Sequence, residues 1–359
     1  MSRATILIMA GGTGGHVFPA LAVADCLKEK NITVVWLGTR QGIEAKLVAE
    51  AGYEIHWLNV SGLRGKNKWS LILAPFKLIF ACMQALSVII KVKPAAVLGM
   101  GGFASGPGGL MAFLTRKPLL VHEQNAIPGM TNTLLSKMAT VIMQAFPNSF
   151  TNHKSVQLVG NPVRENIAGI TAPVERLKDR DDKLNILVIG GSLGAAALNK
   201  AVPEMLSMAN NQQKFDVWHQ TGERNYEEAL TVYSDLNIEA RVNAFIDNMA
   251  EAYDWADVVI CRAGAMTISE LALAGVASIL IPYPYAVDDH QTANAGYLVN
   301  NDAAILIPQT ELSAERLSQE LALLTREKIM KMSVSAQKSA APDAANKVAE
   351  LCMNAGGLV

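Results

Sequence analysis

The apolar positions of this chain fall mostly into short runs of β-branched and aliphatic residues. Each run is followed by a turn and then by a longer stretch with helical spacing. In the first half the pattern predicts strands at 4–9, 33–37, 54–58, 95–99, 118–122, 139–143 and 156–159. In the second half it predicts strands near 184–189, 214–219, 241–245, 257–261, 277–281 and 303–307. Runs such as Asp257-Val258-Val259-Ile260 and Ala277-Ser278-Ile279-Leu280-Ile281 are nearly continuous in apolar character. That suits parallel strands covered on both faces, and strands alternating with helices make an α/β chain of doubly wound parallel sheets.

The same pattern divides the chain. The expected boundary follows Gly160-Asn161-Pro162-Val163-Arg164, and the polar stretch Glu175 to Lys183 precedes the next strand. The expected domains are 1–163 and 164–340, and the last segment, 341–359, has helical spacing and is expected to pack back on the first domain.

One stretch is apolar enough to resemble a membrane span. Ser70 to Ile90 is almost wholly apolar, but Ser70, Lys77, Gln84 and Lys91 recur every seven residues and form one wet stripe along a helix. With Pro75 and Lys77 inside it, the stretch reads as a helix lying against a core with some apolar surface left over.

Composition adds bounds. Half of the 359 residues are hydrophobic and 18% are charged, which excludes disorder and leaves room for two cores. A net charge of −1 lacks the basic footprint of a nucleic-acid-binding protein. Cys26, Cys82, Cys261 and Cys352 are scattered without metal-ligand spacing and read as reduced thiols. Arg3 stands too few residues before Gly11 for a signal peptide, so no export is expected. No motif implies a cofactor or a divalent metal; Asp288-Asp289 is not an Asp-x-Asp signature.

The candidate chemistry lies in the turns. The first strand runs into Gly11-Gly12-Thr13-Gly14-Gly15-His16, and the strand at 184–189 runs into Gly190-Gly191-Ser192-Leu193-Gly194-Ala195. Such strand–turn–helix junctions let backbone N–H groups converge on a phosphate. A dinucleotide fingerprint fits poorly, because Val17 stands where the third glycine belongs and Leu37-Gly38-Thr39 offers no acidic residue to a ribose. No Gly-Lys-Ser/Thr follows any of these turns, which excludes a Walker loop. A third loop, Gly101 to Gly109, follows the strand at 95–99. Plain tight turns are the competing reading of each cluster. His16, beside a helix start, is the candidate to take a proton from an attacking hydroxyl; a structural histidine is the alternative. In Cys261 to Leu271, Glu270 is placed to accept hydrogen bonds from ribose hydroxyls, unless Thr267 and Glu270 merely form a capping box. Asp288 to Asn294 carries amides and a hydroxyl suited to sugar hydroxyls, or is simply a solvated helix start.

These segments in order resemble the membrane-associated N-acetylglucosaminyltransferases of glycosyltransferase family 28. The resemblance covers nearly the whole chain: Ala10–His16, Leu63-Arg64-Gly65-Lys66, Gly99–Gly109, His122-Glu123-Gln124-Asn125, Gly160–Arg164, Gly190–Ser192, Cys261–Glu270 and Gln291–Asn294. It implies two Rossmann-like domains facing a cleft, the GT-B architecture. It also implies inverting transfer of N-acetylglucosamine from UDP-N-acetylglucosamine to the 4-hydroxyl of an undecaprenyl-pyrophosphoryl-N-acetylmuramoyl-pentapeptide in peptidoglycan synthesis. A UDP-N-acetylglucosamine 2-epimerase of the same fold is the alternative. His16 would be the catalytic base. The donor would be held by Thr13, Gly14, Gly15, Asn125, Arg164, Ser192, Ile246, Met249, Ala265, Met266, Thr267, Glu270, Gln291 and Asn294. Within that set, Glu270 would bind the ribose, Ser192 and Arg164 the diphosphate, Ile246 and Met249 would border the uracil, and Gln291, Asn294 and Asn125 would lie near the sugar. Gly11, Gly12, Gly14, Gly101, Gly102 and Ser105 would receive the acceptor diphosphate. His290 departs from a glutamine common in the family. The family sits on the cytoplasmic face of the inner membrane, so Lys66, Lys68, Trp69, Ile72, Phe76, Ile79 and Phe80 would form a peripheral patch for anionic lipid. Other cell-wall synthesis proteins are implied as partners.

Overall fold

A computed structural model describes residues 4–60, 74–151, 153, 156–191, 194–208 and 211–358. The chain divides into two units, Met1–Arg164 with Pro342–Val359, and Glu165–Ala341.

The first unit is built on a seven-stranded sheet: β1 (Thr5–Met9), β2 (Thr33–Gly38), β3 (Glu54–Trp57), β4 (Ala96–Gly99), β5 (Leu119–Glu123), β6 (Val141–Gln144) and β7 (Val156–Leu158), in the order β3-β2-β1-β4-β5-β6-β7. Every pairing is parallel. Side chains alternate across β1, so Ile6 and Ile8 enter one core while Leu7 and Met9 enter the other. The first core is closed by Val17, Ala20, Ala24 and Leu27 of the helix Gly14–Glu29 and by Val348, Ala349 and Cys352 of the helix Ala344–Ala355. The second is closed by Ala85 and Ile89 of the helix Ala74–Val92, with Met111 and Ala112 of the helix Ser105–Leu114. Burial on both faces is why these strands read as continuous apolar runs.

The helix Ala74–Val92 corrects one expectation. Only Ala81, Ala85 and Ile89, a stripe at four-residue spacing, are buried. Phe76 is 69% exposed and Ile79 58%, with Leu78, Phe80, Met83 and Ile90 also outward. Phe113 and Leu114, at the end of the neighbouring helix Ser105–Leu114, are exposed as well. By length and composition this helix could cross a membrane, yet it is docked on the sheet by its small-residue stripe. Most of the apolar surface therefore faces outward. The patch residues Lys66, Lys68, Trp69 and Ile72 lie outside the described residues.

The second unit repeats the scheme with six parallel strands: β8 (Leu184–Ile189), β9 (Phe215–Gln220), β10 (Arg241–Asn243), β11 (Val258–Cys261), β12 (Ala277–Leu280) and β13 (Ala304–Leu306), ordered β10-β9-β8-β11-β12-β13. Its core joins Ile186 and Val188 of β8 to Val258 and Ile260 of β11 and Leu198, Val202 and Met205 of the helix Ala196–Ser207.

Strand order positions the sites. In the first sheet successive strands run one way to β1 and then jump to β4; in the second the jump is from β8 to β11. At such a switch point the following loops leave in opposite directions and open a crevice at the carboxyl edge. The glycine loops follow the switch strands.

Candidate functional site

In the second unit the crevice is a cavity of about 530 Å³ lined by Gly190, Gly191, Gly194 and Ala195 after β8, and by Arg262, Gly264 and Thr267 after β11. Tyr283, Gln291 and Gln309 also line it, and among the described residues no carboxylate does. The helix Ala196–Ser207 is preceded by Ala195, and the helix Ala265–Ala274 by Gly264; neither carries a side-chain cap. Ala195, Ala196 and Ala197 of the first and Gly264 of the second line the cavity, so the positive end of each helix dipole faces it. The turn admits only glycine at position 194: its φ is +75°, and a Cβ would stand 2.1 Å from the Thr221 carbonyl oxygen.

Arg262 supplies the positive charge. Its Nη1 donates to the carbonyls of Ile281 (3.1 Å) and Pro282 (3.3 Å), its Nη2 donates to Gln309 Oε1 (2.5 Å), and its guanidinium lies over the Tyr283 ring. Burial lowers its pKa, and these acceptors hold the guanidinium in place. Gln291 Oε1 accepts from the backbone N–H of Ala263 (3.2 Å) and of Tyr283 (2.9 Å), which ties the loops after β11 and β12 together.

The cap at Gly264 excludes a capping box between Thr267 and Glu270. Thr267 lines the cavity, and Glu270 lies a turn further on, where its Oε2 accepts from the hydroxyl of buried Tyr253 at 3.0 Å. Ala265 is buried and Met266 half-buried. Ile246 and Met249 are buried and lie off the cavity wall. Asn294 is fully buried and donates through Nδ2 to the Ala263 carbonyl (3.2 Å), so it braces the loop from behind. Ser192 lies outside the described residues. Asp288 and Asp289 are exposed with left-handed backbone, and Thr292 Oγ1 donates to Asp289 Oδ1 at 2.7 Å. His290 begins the helix His290–Val299 half-buried.

In the first unit the two glycine loops press against each other. A Cβ on Gly102, whose φ is +86°, would stand 2.3 Å from the Gly11 carbonyl oxygen, so that backbone contact exists only with glycine there. A Cβ on Gly101 would stand 2.8 Å from His16 Cε1 and Nδ1, so the imidazole lies close against this loop. Thr13 precedes the helix Gly14–Glu29, so Thr13, Gly14 and Gly15 form its uncapped amino end. His16 is in its first turn, half-buried, with Nδ1 2.9 Å from Gln124 Oε1.

Two of the expected acceptor-loop residues carry hydrogen bonds that hold the loops. Ser105 is fully buried, and its hydroxyl donates to the carbonyls of Met9 (3.0 Å) and Gly101 (2.8 Å), stapling β1 to the loop after β4. The Gly12 N–H is also committed, donating at 2.9 Å to Oε2 of Glu44. Glu44 is fully buried, and its Oε1 accepts from the Thr39 N–H (2.9 Å) and hydroxyl (2.7 Å). Asn125 is anchored to Glu123 Oε1 through its N–H (2.9 Å) and Nδ2 (3.2 Å). Arg164 lies over the Phe18 ring, 5.3 Å from its centroid.

Sequence reasoning assigned no role to Glu44, Gln124, Arg262, Tyr283 or Gln309. Gln124 and Arg262 stand inside quoted motifs, which was a usable signal. Glu44 had none, since its partner Gly12 is 32 positions away.

The models for the N-terminal and C-terminal domains of glycosyltransferase family 28 match residues 6–144 and 185–348. The chain belongs to glycosyltransferase family 28. Among curated relatives it is 50% identical over 350 residues to the UDP-N-acetylglucosamine–N-acetylmuramyl-(pentapeptide) pyrophosphoryl-undecaprenol N-acetylglucosamine transferase of Nitrosococcus oceani, covering 97% of this chain and 98% of that one. It is 49% identical over 352 residues to the protein of the same name from Shewanella denitrificans, covering 97% and 96%. Among solved structures, Acinetobacter baumannii MurG superposes with a TM-score of 0.86 at 40% identity, covering 98% of this chain and 100% of that one. The UDP-GlcNAc 2-epimerase of Neisseria meningitidis, at 14% identity and a TM-score of 0.68 over 98% and 100% of the two chains, shares the fold alone. This family 28 enzyme is therefore a hexosyltransferase of two Rossmann-like α/β domains.

Proposed function

We propose that this enzyme transfers N-acetylglucosamine from UDP-N-acetylglucosamine to the 4-hydroxyl of an undecaprenyl-pyrophosphoryl-N-acetylmuramoyl-pentapeptide, with inversion at the anomeric carbon. The observation that carries the proposal is identity near one half across almost the full length of relatives named for that reaction. The second domain's cavity supports it chemically. Two uncapped helix N-termini and the fixed guanidinium of Arg262 suit the diphosphate of a nucleotide sugar, which gains charge as the glycosidic bond breaks. Glu270 takes the ribose, Gln291 the sugar, and Ser192 assists at the diphosphate. Asn294 braces the loop that meets the sugar, and Ile246 and Met249 shape the uracil end.

In the first domain the acceptor's hydroxyl is deprotonated by His16 as it attacks, a contribution of about 10²–10⁴-fold for a general base. The acceptor's diphosphate is received by the amino end of the helix at Thr13–Gly15 and by the loop after β4. Peripheral attachment to the cytoplasmic face of the inner membrane is supported by the outward apolar face of the helix Ala74–Val92.

Incubating the protein with radiolabelled UDP-N-acetylglucosamine and the lipid-linked muramoyl acceptor tests the reading. Label is expected in the lipid product, with UDP released only when acceptor is present. Conversion of the donor to its 2-epimer, with no label in lipid, would replace the transferase reading by the epimerase one.

A further inference from the structure

The candidate base is the end of a hydrogen-bonded chain whose direction can be read from two backbone carbonyls. His122 and Gln124 are two positions apart at the carboxyl end of β5, so their side chains project to the same side. His122 is fully buried, and its Nε2 is 2.9 Å from the Gly160 carbonyl oxygen. A carbonyl only accepts, so Nε2 carries hydrogen. Burial lowers the pKa of this imidazole to about 4, leaving it neutral with a lone pair on Nδ1.

Gln124, also buried, places its amide nitrogen 3.0 Å from that Nδ1 and 3.2 Å from the His122 carbonyl oxygen. The carbonyl again fixes the donor, so the Gln124 NH₂ faces His122 and its Oε1 faces outward. The Gln124 backbone is held by Asn161 Nδ2 on its carbonyl (3.0 Å), and that of His122 by Asn132 Nδ2 (3.1 Å). His16 Nδ1 stands 2.9 Å from Gln124 Oε1, an atom with no hydrogen to give.

We propose that Gln124, oriented through His122 by the Gly160 carbonyl, is a positioning residue that holds neutral His16 as its Nδ1–H tautomer and so leaves Nε2 as the nitrogen that receives the acceptor's proton. The proposal rests on the reading of His16 as the base. An amide suits the place better than a carboxylate: it selects the tautomer without burying a negative charge beside the ring.

The test is the tautomer itself, read from long-range ¹H–¹⁵N correlations of histidine-labelled full-length enzyme, with His16→Ala assigning the signal. Neutral His16 is expected to carry hydrogen on Nδ1. In Gln124→Met the population should move to Nε2–H and kcat should fall by about 10²–10⁴-fold, the contribution of a general base, because the imidazole is left in the wrong tautomer. KM for UDP-N-acetylglucosamine should be unchanged. Nε2–H in the unaltered enzyme overturns the proposal, and so does a fall in kcat of Gln124→Met with the tautomer unmoved. If Gln124→Met does not fold, the tautomer of the unaltered enzyme decides. Near-normal turnover of His16→Ala with the Nδ1–H tautomer present in the unaltered enzyme would remove the base reading and leave the relay in place.

Discussion

Glu44 shows how far a residue's role can lie from its neighbours in the chain. It opens the short helix Glu44–Glu50 as an acidic first-turn residue, a place where a carboxylate is ordinary. Folding turns it inward, where its two oxygens accept three hydrogen bonds and tie Thr39 to the first glycine turn. In Glu44→Gln one donor loses its acceptor, a change that costs about 1–3 kcal/mol when the group is buried. The expected outcome is a lower melting temperature and a severalfold higher KM for the lipid acceptor, with KM for UDP-N-acetylglucosamine unchanged. Steady-state kinetics against each substrate check it; equal effects on both would show that the loop does not serve the acceptor. Ser105 and Asn294 teach the same lesson. Their polar atoms were legible as chemistry, but which way they point depends on carbonyls brought up by other strands.

The strands and glycine turns were legible as elements because burial on both faces leaves an unmistakable apolar run and because close backbone approach demands glycine. The helix Ala74–Val92 was legible as a helix but not in its orientation. Periodicity marks a wet stripe, but cannot say that only Ala81, Ala85 and Ile89 are buried, with Cys82, Leu86, Val88 and Val92 half-buried against the core. Since Phe76 and Ile79 are exposed, replacing both by Asp should leave the melting temperature nearly unchanged and sharply reduce cosedimentation with anionic vesicles. A large drop in melting temperature with unchanged vesicle binding would mean that these side chains belong to packing.

Across the molecule, each unit keeps one fully buried histidine whose proton affinity is depressed by burial: His122 in the first, to about 4, and His219 in the second, to about 3. Above the ordinary histidine pKa both states are neutral and neither residue contributes. As pH falls below 6.5 the unfolded chain takes up protons that the folded chain refuses, so stability declines until the folded pKa values are reached. Each residue contributes a slope of about 1.4 kcal/mol per pH unit in that window. The urea midpoint should therefore fall from pH 7 to pH 5, and His219→Gln should flatten the decline; an unchanged midpoint would show that these rings titrate normally in the fold.

The order of strands and turns, the two parallel-sheet domains and the glycine positions all followed from the sequence, because hydrophobic period and backbone sterics act between near neighbours in the chain. Which polar atoms meet a ligand and which brace the loops was decided only by the tertiary structure. Hydrogen bonds such as Gly12 to Glu44, His16 to Gln124 and His122 to Gly160 span 32, 108 and 38 positions. Their directions are set by acceptors that local pattern cannot bring into view.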